Sequence, residues 1–150
     1  MPRLSAGLLL YRGDGPRTEV FIAHMGGPFW RRRDRAWTIP KGELEPGEDP
    51  LATALREFGE EIGVPAPSAD YLELGTFRQS SGKRVVFAGR AELHVDQVRS
   101  NLVDVELPRG SGHVIQVPEV DDARWARLSE ARGLVVAGQV AALDALERVT

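Results

Sequence analysis

Short apolar runs separated by turn formers fill the first forty residues, and the apolar spacing then changes to three and four. That change of period marks strands giving way to a helix. Leu8 to Tyr11 and the segment around Val20 and Ile22 read as strands, and Arg12-Gly13-Asp14-Gly15-Pro16 between them reads as a hairpin connection. Gly26 to Arg35 forms a long loop ahead of a short strand, Ala36 to Ile39. Long loops in compact domains are often functional. The segment Asp49 to Ile62 carries the clearest helix punctuation: Asp49 as N-cap, Pro50 at the first helical position and Gly63 just past the end. Leu51, Ala54, Leu55, Phe58 and Ile62 fall on one stripe, while Arg56, Glu57, Glu60 and Glu61 lie away from its centre. Further strands are expected at Tyr71 to Phe77 and Arg84 to Leu93. A glycine- and proline-containing stretch, Pro108 to Pro118, then leads to a strand around Ala123 to Leu128 and helical segments after Ser129. Val136, Val140, Leu143 and Leu146 supply the last helix with an apolar face.

A length of 150 residues and 42% hydrophobic composition suffice for one sizeable core, so residues 1–150 are read as a single domain. No apolar run approaches the length of a membrane span, and Met1 to Leu10 lacks the pattern of a cleavable signal, so a cytoplasmic protein without membrane partners is expected. Cysteine is absent, which excludes thiol catalysis and Cys-ligated zinc. A net charge of −3 argues against a stable nucleic-acid partner. The basic run Arg31 to Arg35, interrupted by Asp34, is either a solvated loop or local help for a polyanion. Beside it, Phe29 and Trp30 either stack on a nucleobase or pack into the core.

Glu57, Glu60 and Glu61 stand at i, i+3 and i+4, which brings three like charges to one side of a helix. Either water screens them or a cation joins them. Clustered hard oxygen ligands suit Mg²⁺, with Mn²⁺ as a substitute, better than zinc. Such an ion lets carboxylates and a polyphosphate share a site.

Gly42 is followed after five residues by Glu48 and after seven more by Arg56-Glu57-Phe58-Gly59-Glu60-Glu61-Ile62-Gly63-Val64. This resembles the Nudix box at every specified position, a match with chance odds of about 10⁻⁹ per register. The resemblance implies an α/β/α sandwich with a mixed β-sheet between helices. It further implies a metal-dependent hydrolase that cuts a phosphoanhydride in a nucleotide substrate. Glu57, Glu60 and Glu61 look like the metal-binding glutamates of the box, with Glu57 also the general base and Arg56 the orienting residue. Gly42 resembles the glycine whose carbonyl reaches the metal, and Glu48 supplies either a water-mediated contact or a favourable charge at the helix start. Glu119, six residues before Trp125, resembles a further metal ligand, with Glu106 and Glu92 as rivals. Lys41, Lys83 and Arg84 are candidates for phosphate oxygens, and Trp30 for the base. His24 and His113 are alternative bases or incidental, having no carboxylate partner nearby in the sequence.

The words Trp37-Thr38-Ile39-Pro40-Lys41-Gly42 and Pro118-Glu119 look most like the branch containing diadenosine-tetraphosphate hydrolases and predicted nucleoside-triphosphate pyrophosphohydrolases. Dinucleoside polyphosphates or nucleoside triphosphates are therefore the expected substrates. The alternative is a catalytically inactive nucleotide-binding or regulatory module, and both monomer and homodimer remain open.

Overall fold

The structure is a computed structural model and describes residues 3–79 and 82–150. Strand β1 (Arg3–Arg12) runs through its middle, because Ala6, Leu8, Leu9 and Leu10 have no exposed surface. Successive side chains of a strand point to opposite faces, so a strand this apolar needs cover on both. It receives it. Ala6, Leu8 and Leu10 pack with Phe21, Phe58 and Ile62 on one face, and Leu9 packs with Ile22, Ile39, Leu143 and Leu146 on the other.

The expected hairpin joins β1 to β2 (Glu19–Met25) in antiparallel fashion, paired at Tyr11 with Val20 and Arg12 with Glu19. Beyond those pairs the two strands part. Into the gap comes β3 (Trp37–Thr38), paired with β2, followed by β4 (Lys41–Glu43), paired with β1. The strand expected at Ala36 to Ile39 is thus narrower, and it leads directly into a second strand made of Lys41 and Gly42. On the other edge of β1 lies β6 (Gly82–Arg90), parallel to it, with β5 (Leu72–Gln79) antiparallel outside. Both begin or end up to three residues from the expected limits. Leu93 has left the sheet, and its carbonyl accepts from Trp125 Nε1 at 2.9 Å. Strand β9 (Val120–Arg127) lines the far side of β2.

Helix α1 (Pro50–Ile62) covers one face of this mixed sheet, while α2 (Leu128–Leu134) and α3 (Val140–Val149) cover the other. The fold is the α/β/α sandwich expected. Two expectations about side chains need correction. Leu51 and Leu55 of the α1 stripe are only half-buried, and Glu61, expected away from the buried centre, is 2% exposed. The stripe is rotated so that the sheet covers Ala54, Phe58, Glu61 and Ile62.

The glycine- and proline-containing stretch Pro108 to Pro118, for which no element was expected, also contributes a strand. Its end forms β8 (Val114–Pro118), antiparallel to β7 (Leu102–Glu106), in a two-stranded ribbon separate from the main sheet. Leu102-Val103-Asp104-Val105-Glu106 alternates cleanly, a strand signal hidden by the glycines and prolines after it. Among the described residues no helix is long and apolar enough to cross a membrane.

Candidate active site

Helix α1 starts where the Asp49 carboxylate accepts from the Ala52 N–H at 3.0 Å, which satisfies one of the helix's orphan donors. It stops at Gly63, with φ of 92°. A Cβ there would lie 2.7 Å from Arg99, so both the backbone angle and the close approach require glycine. The approach matters for the site. The Arg99 N–H donates to the Ile62 carbonyl and the Asn101 N–H to the Glu60 carbonyl, each at 3.0 Å. The Asn101 carbonyl in turn accepts from the Glu119 N–H at 2.9 Å, and the Glu119 carbonyl accepts from Gly26 at 2.9 Å. Glu119, on the link between β8 and β9, is thereby tied to the helix that carries the other glutamates.

The three box glutamates do not share one environment. Glu60 faces Arg56, whose Nη1 donates to Glu60 at 3.1 Å and to Glu57 at 3.2 Å, while Nη2 donates to Glu48 at 3.1 Å. Arg56 thus holds three carboxylates, including Glu48, which also accepts from the Glu45 N–H at 2.7 Å. These contacts hold Glu48 below the ordinary carboxylate range, led by the Glu45 bond. Glu57 turns towards β4 and lies against Gly42, where a Cβ would fall 2.0 Å from its carboxyl carbon. Gly42 is therefore glycine to admit Glu57, and its φ is not positive, so an unusual turn conformation does not explain it. Burial raises the Glu57 carboxyl above its usual range, with help from Glu60 and Glu119 and opposition from Arg56.

Glu61 lies deeper, and its Oε2 accepts from the Lys41 N–H at 3.2 Å. Burial pushes it up to about 8, against the favourable charge of Lys41 and with further help from Glu119 and Glu57. Glu119 thus raises both Glu57 and Glu61, and Glu57 raises Glu61 in turn. Among the described residues no three acidic or histidine side chains stand close enough to form a ready-made metal cluster. The donors nevertheless fit a hard divalent cation. All are oxygens, burial raises the Glu57 and Glu61 carboxyls above their ordinary range, and Gly42 admits the Glu57 carboxyl where a side chain would exclude it.

Two cavities share Lys41 and Glu119 in their walls, and the first also includes Gly42, against which Glu57 packs. One, of about 240 Å³, is lined by Arg3, Lys83 and Arg84 beside Ser5 and Gln79. Arg84 is 5% exposed; its Nε donates to Ser5 Oγ at 3.3 Å and its Nη1 has no protein partner. Burial lowers its pKa to about 10, opposed by Glu61, so it stays charged at neutral pH. A buried guanidinium nitrogen without an acceptor is costly and suits an anion. The other cavity, of about 310 Å³, is largely apolar and contains Phe29 and Trp30. A larger apolar groove of about 860 Å³ lies on the outer side of α1, away from Glu57 and Glu61.

The remaining sequence candidates fall elsewhere. Glu92 bridges Arg12 at 3.1 Å, and Glu106 accepts from Gly110 in the ribbon turn, so neither rivals Glu119. His113 is exposed in the same turn. His24 has no carboxylate partner nearby in the sequence but gains a distant one: Asp121, 97 positions away, lies 2.6 Å from Nδ1. Antiparallel pairing of β2 with β9 brings them together. In the basic run, Arg33 stacks on Phe29 at 3.9 Å and Arg35 donates to the carbonyls of Arg132 and Val135. Those two cations hold the loop itself. Arg3, Ser5 and Gln79 were missed, because they reach the cavity only through pairing of β1 and β5 with β6.

A profile for the NUDIX domain matches residues 1–146. The chain belongs to the Nudix family. An RNA pyrophosphohydrolase of Pseudoalteromonas atlantica is 31% identical over 127 residues, covering 75% of this chain and 70% of that protein. Another, from Roseobacter denitrificans, is 45% identical over 65 residues, but the match covers 41% of this chain and only 34% of the relative's length. A crystal structure of a C. elegans Ap4A hydrolase binary complex superposes with a TM-score of 0.63 at 22% identity, covering 98% of this chain and 96% of that one. The Nudix sandwich is thus shared at low sequence identity.

Proposed function

We propose that this Nudix chain, acting as one domain over residues 1–150, is a divalent-metal-dependent pyrophosphohydrolase of nucleotide substrates. Dinucleoside polyphosphates and nucleoside triphosphates lead the list. The observation that carries this reading is the Glu57 carboxyl seated on Gly42 and buried Glu61 bonded to the Lys41 N–H, where Lys41 and Glu119 join a cation-lined and an aromatic cavity. The names of the relatives, RNA pyrophosphohydrolase and Ap4A hydrolase, agree with phosphoanhydride cleavage.

In this reading Glu57, Glu60, Glu61, Glu119 and the Gly42 carbonyl would hold Mg²⁺, or Mn²⁺ in its place. When bound there, such an ion would supply charge neutralisation and lower the pKa of a water. Glu57 takes the proton from the attacking water, a role for which a carboxyl raised above its usual range is better matched than an ordinary one. Arg56 positions Glu57, Glu60 and Glu48 through its three contacts. Lys41, Lys83 and Arg84 meet phosphate oxygens, and Trp30 meets the base.

The test is a panel of dinucleoside polyphosphates, nucleoside triphosphates and sugar nucleotides, assayed with Mg²⁺ and with Mn²⁺ and resolved by chromatography. ATP released from diadenosine tetraphosphate identifies the first class, and monophosphate with pyrophosphate the second. Absence of turnover on both classes defeats the substrate assignment. Gly42→Ala gives an independent check, since its methyl group would occupy the Glu57 carboxyl position. Activity should fall roughly 100-fold with the fold retained, because a displaced base loses its alignment with the reacting atom. Near-normal turnover by a folded Gly42→Ala protein would contradict the role given to Glu57.

A further inference from the structure

The register of the β7–β8 ribbon places Val103 opposite Val117 and Val105 opposite Ile115, so these four side chains share one face. None belongs to either apolar core, so packing of the sandwich does not account for them. The other face of the ribbon carries Asp104, Glu106 and exposed Val114. Part of the apolar face turns inward: Val103 and Val105 line the 310 Å³ cavity together with Phe29 and Trp30, whereas Ile115 is exposed. The aromatic rings stand edge to face at 4.9 Å. The ribbon also rests on the loop that carries them, since a Cβ on Gly27, whose φ is 95°, would lie 3.1 Å from Val117 Cγ2.

We propose that the valine face of the ribbon is the second wall of a nucleobase slot, and that the slot reads a base by flat apolar contact rather than by side-chain hydrogen bonds. The proposal rests on the nucleotide reading above and adds how the base is chosen. Continuity supplies the first argument. The slot shares Lys41 and Glu119 with the cation-lined cavity, so a base held here leaves its phosphates beside Lys83 and Arg84. The second argument is the lining, in which Lys41 and Glu119, at the shared end, are the ionisable side chains and the rest are glycine or apolar. A pocket that hydrogen-bonds its ligand rejects the wrong one by about 10⁴-fold or more, whereas an apolar pocket discriminates by roughly 10- to 200-fold at most. Weak selection among bases follows, together with strong dependence on having a base at all.

The experiment measures equilibrium binding of AMP, GMP, CMP, UMP and base-free ribose 5-phosphate in EDTA, read by tryptophan fluorescence. The wild type is compared with Val105→Asp on the inner face and Val114→Asp on the outer. The four nucleotides should bind within about tenfold of one another, and ribose 5-phosphate at least about tenfold more weakly. Val105→Asp should weaken all four by about tenfold or more and leave ribose 5-phosphate unchanged; Val114→Asp, adding the same charge to the same ribbon, should change none. A preference of about 1,000-fold for one base, or equal effects of the two variants, would overturn the slot. Nucleoside-triphosphate hydrolysis assayed in parallel separates the two readings. Turnover with an unaltered KM in Val105→Asp sinks the slot and leaves the hydrolase, whereas base-dependent binding without turnover of any substrate sinks the hydrolase and leaves the slot.

Discussion

Glu57→Gln should lower kcat/KM by at least about 100-fold in Mg²⁺ while the protein stays folded, because the substitution keeps the shape of the side chain and removes its charge and basicity. The geometry makes the stability half of this expectation specific. Glu57 is pushed towards its neutral form by burial and by Glu60, with Arg56 opposing at 3.2 Å. A glutamine carbonyl can still accept from Arg56 and still fits against Gly42. In EDTA the variant should therefore melt at the same temperature as the wild type or higher. A residue kept for structure would show the reverse pattern, with activity falling only as far as folding does. Paired calorimetry and steady-state kinetics distinguish the two, and unchanged kcat/KM would remove Glu57 from the mechanism.

The second large effect concerns Glu61 and pH. Its carboxyl is pushed up to about 8 in the folded protein from an ordinary value of 4.5, with burial as the main cause. Below pH 4.5 both folded and unfolded chains hold this proton, and its contribution to stability is at its most favourable. Between 4.5 and about 8 the unfolded chain releases the proton while the folded one retains it. The folded state then binds more protons, so stability falls as pH rises through that window and levels off above it. The loss is on the order of a few kcal/mol in metal-free protein. A divalent cation supplies the missing counter-charge, so Mg²⁺ should raise the melting temperature more at pH 7.5 than at pH 5.5 and release protons on binding. Glu61→Gln retains an acceptor for the Lys41 N–H but cannot ionise. Its stability in EDTA should decline less between pH 5 and 8 than that of the wild type. Parallel pH profiles for the two proteins would refute the account.

Neither effect could be read from residue spacing. A set of carboxylate ligands for a cation was legible at Glu57, Glu60 and Glu61 because neighbours at three and four positions share a side of any helix. How far each carboxylate is buried depends on the rotation of α1 against the sheet. That rotation puts Glu61 under the sheet, seats Glu57 on Gly42 and leaves Glu60 with Arg56. The same limit explains Arg84, whose position in β6 was readable as strand but whose burial comes from parallel pairing with β1, Arg84 opposite Ser5. Glu119 was picked out by resemblance. Its connection to α1 runs through Ser100 and Asn101, a segment with no pattern of its own.

What the sequence determined by itself was local: the helix from Asp49 to Gly63 with its caps, the hairpin turn at Arg12 to Pro16, the apolar strands that demand cover on both faces, and the spacing of the glutamates. Capping, turn geometry and periodicity act between residues a few positions apart, so they are written in order along the chain. The tertiary structure alone decided the insertion of β3 and β4 between β1 and β2, the partnership of His24 with Asp121, the ribbon beside the aromatic loop and the two cavities meeting at Lys41 and Glu119. Those depend on strand register and desolvation, set by which distant segments bury one another, and no spacing within a short window encodes that choice.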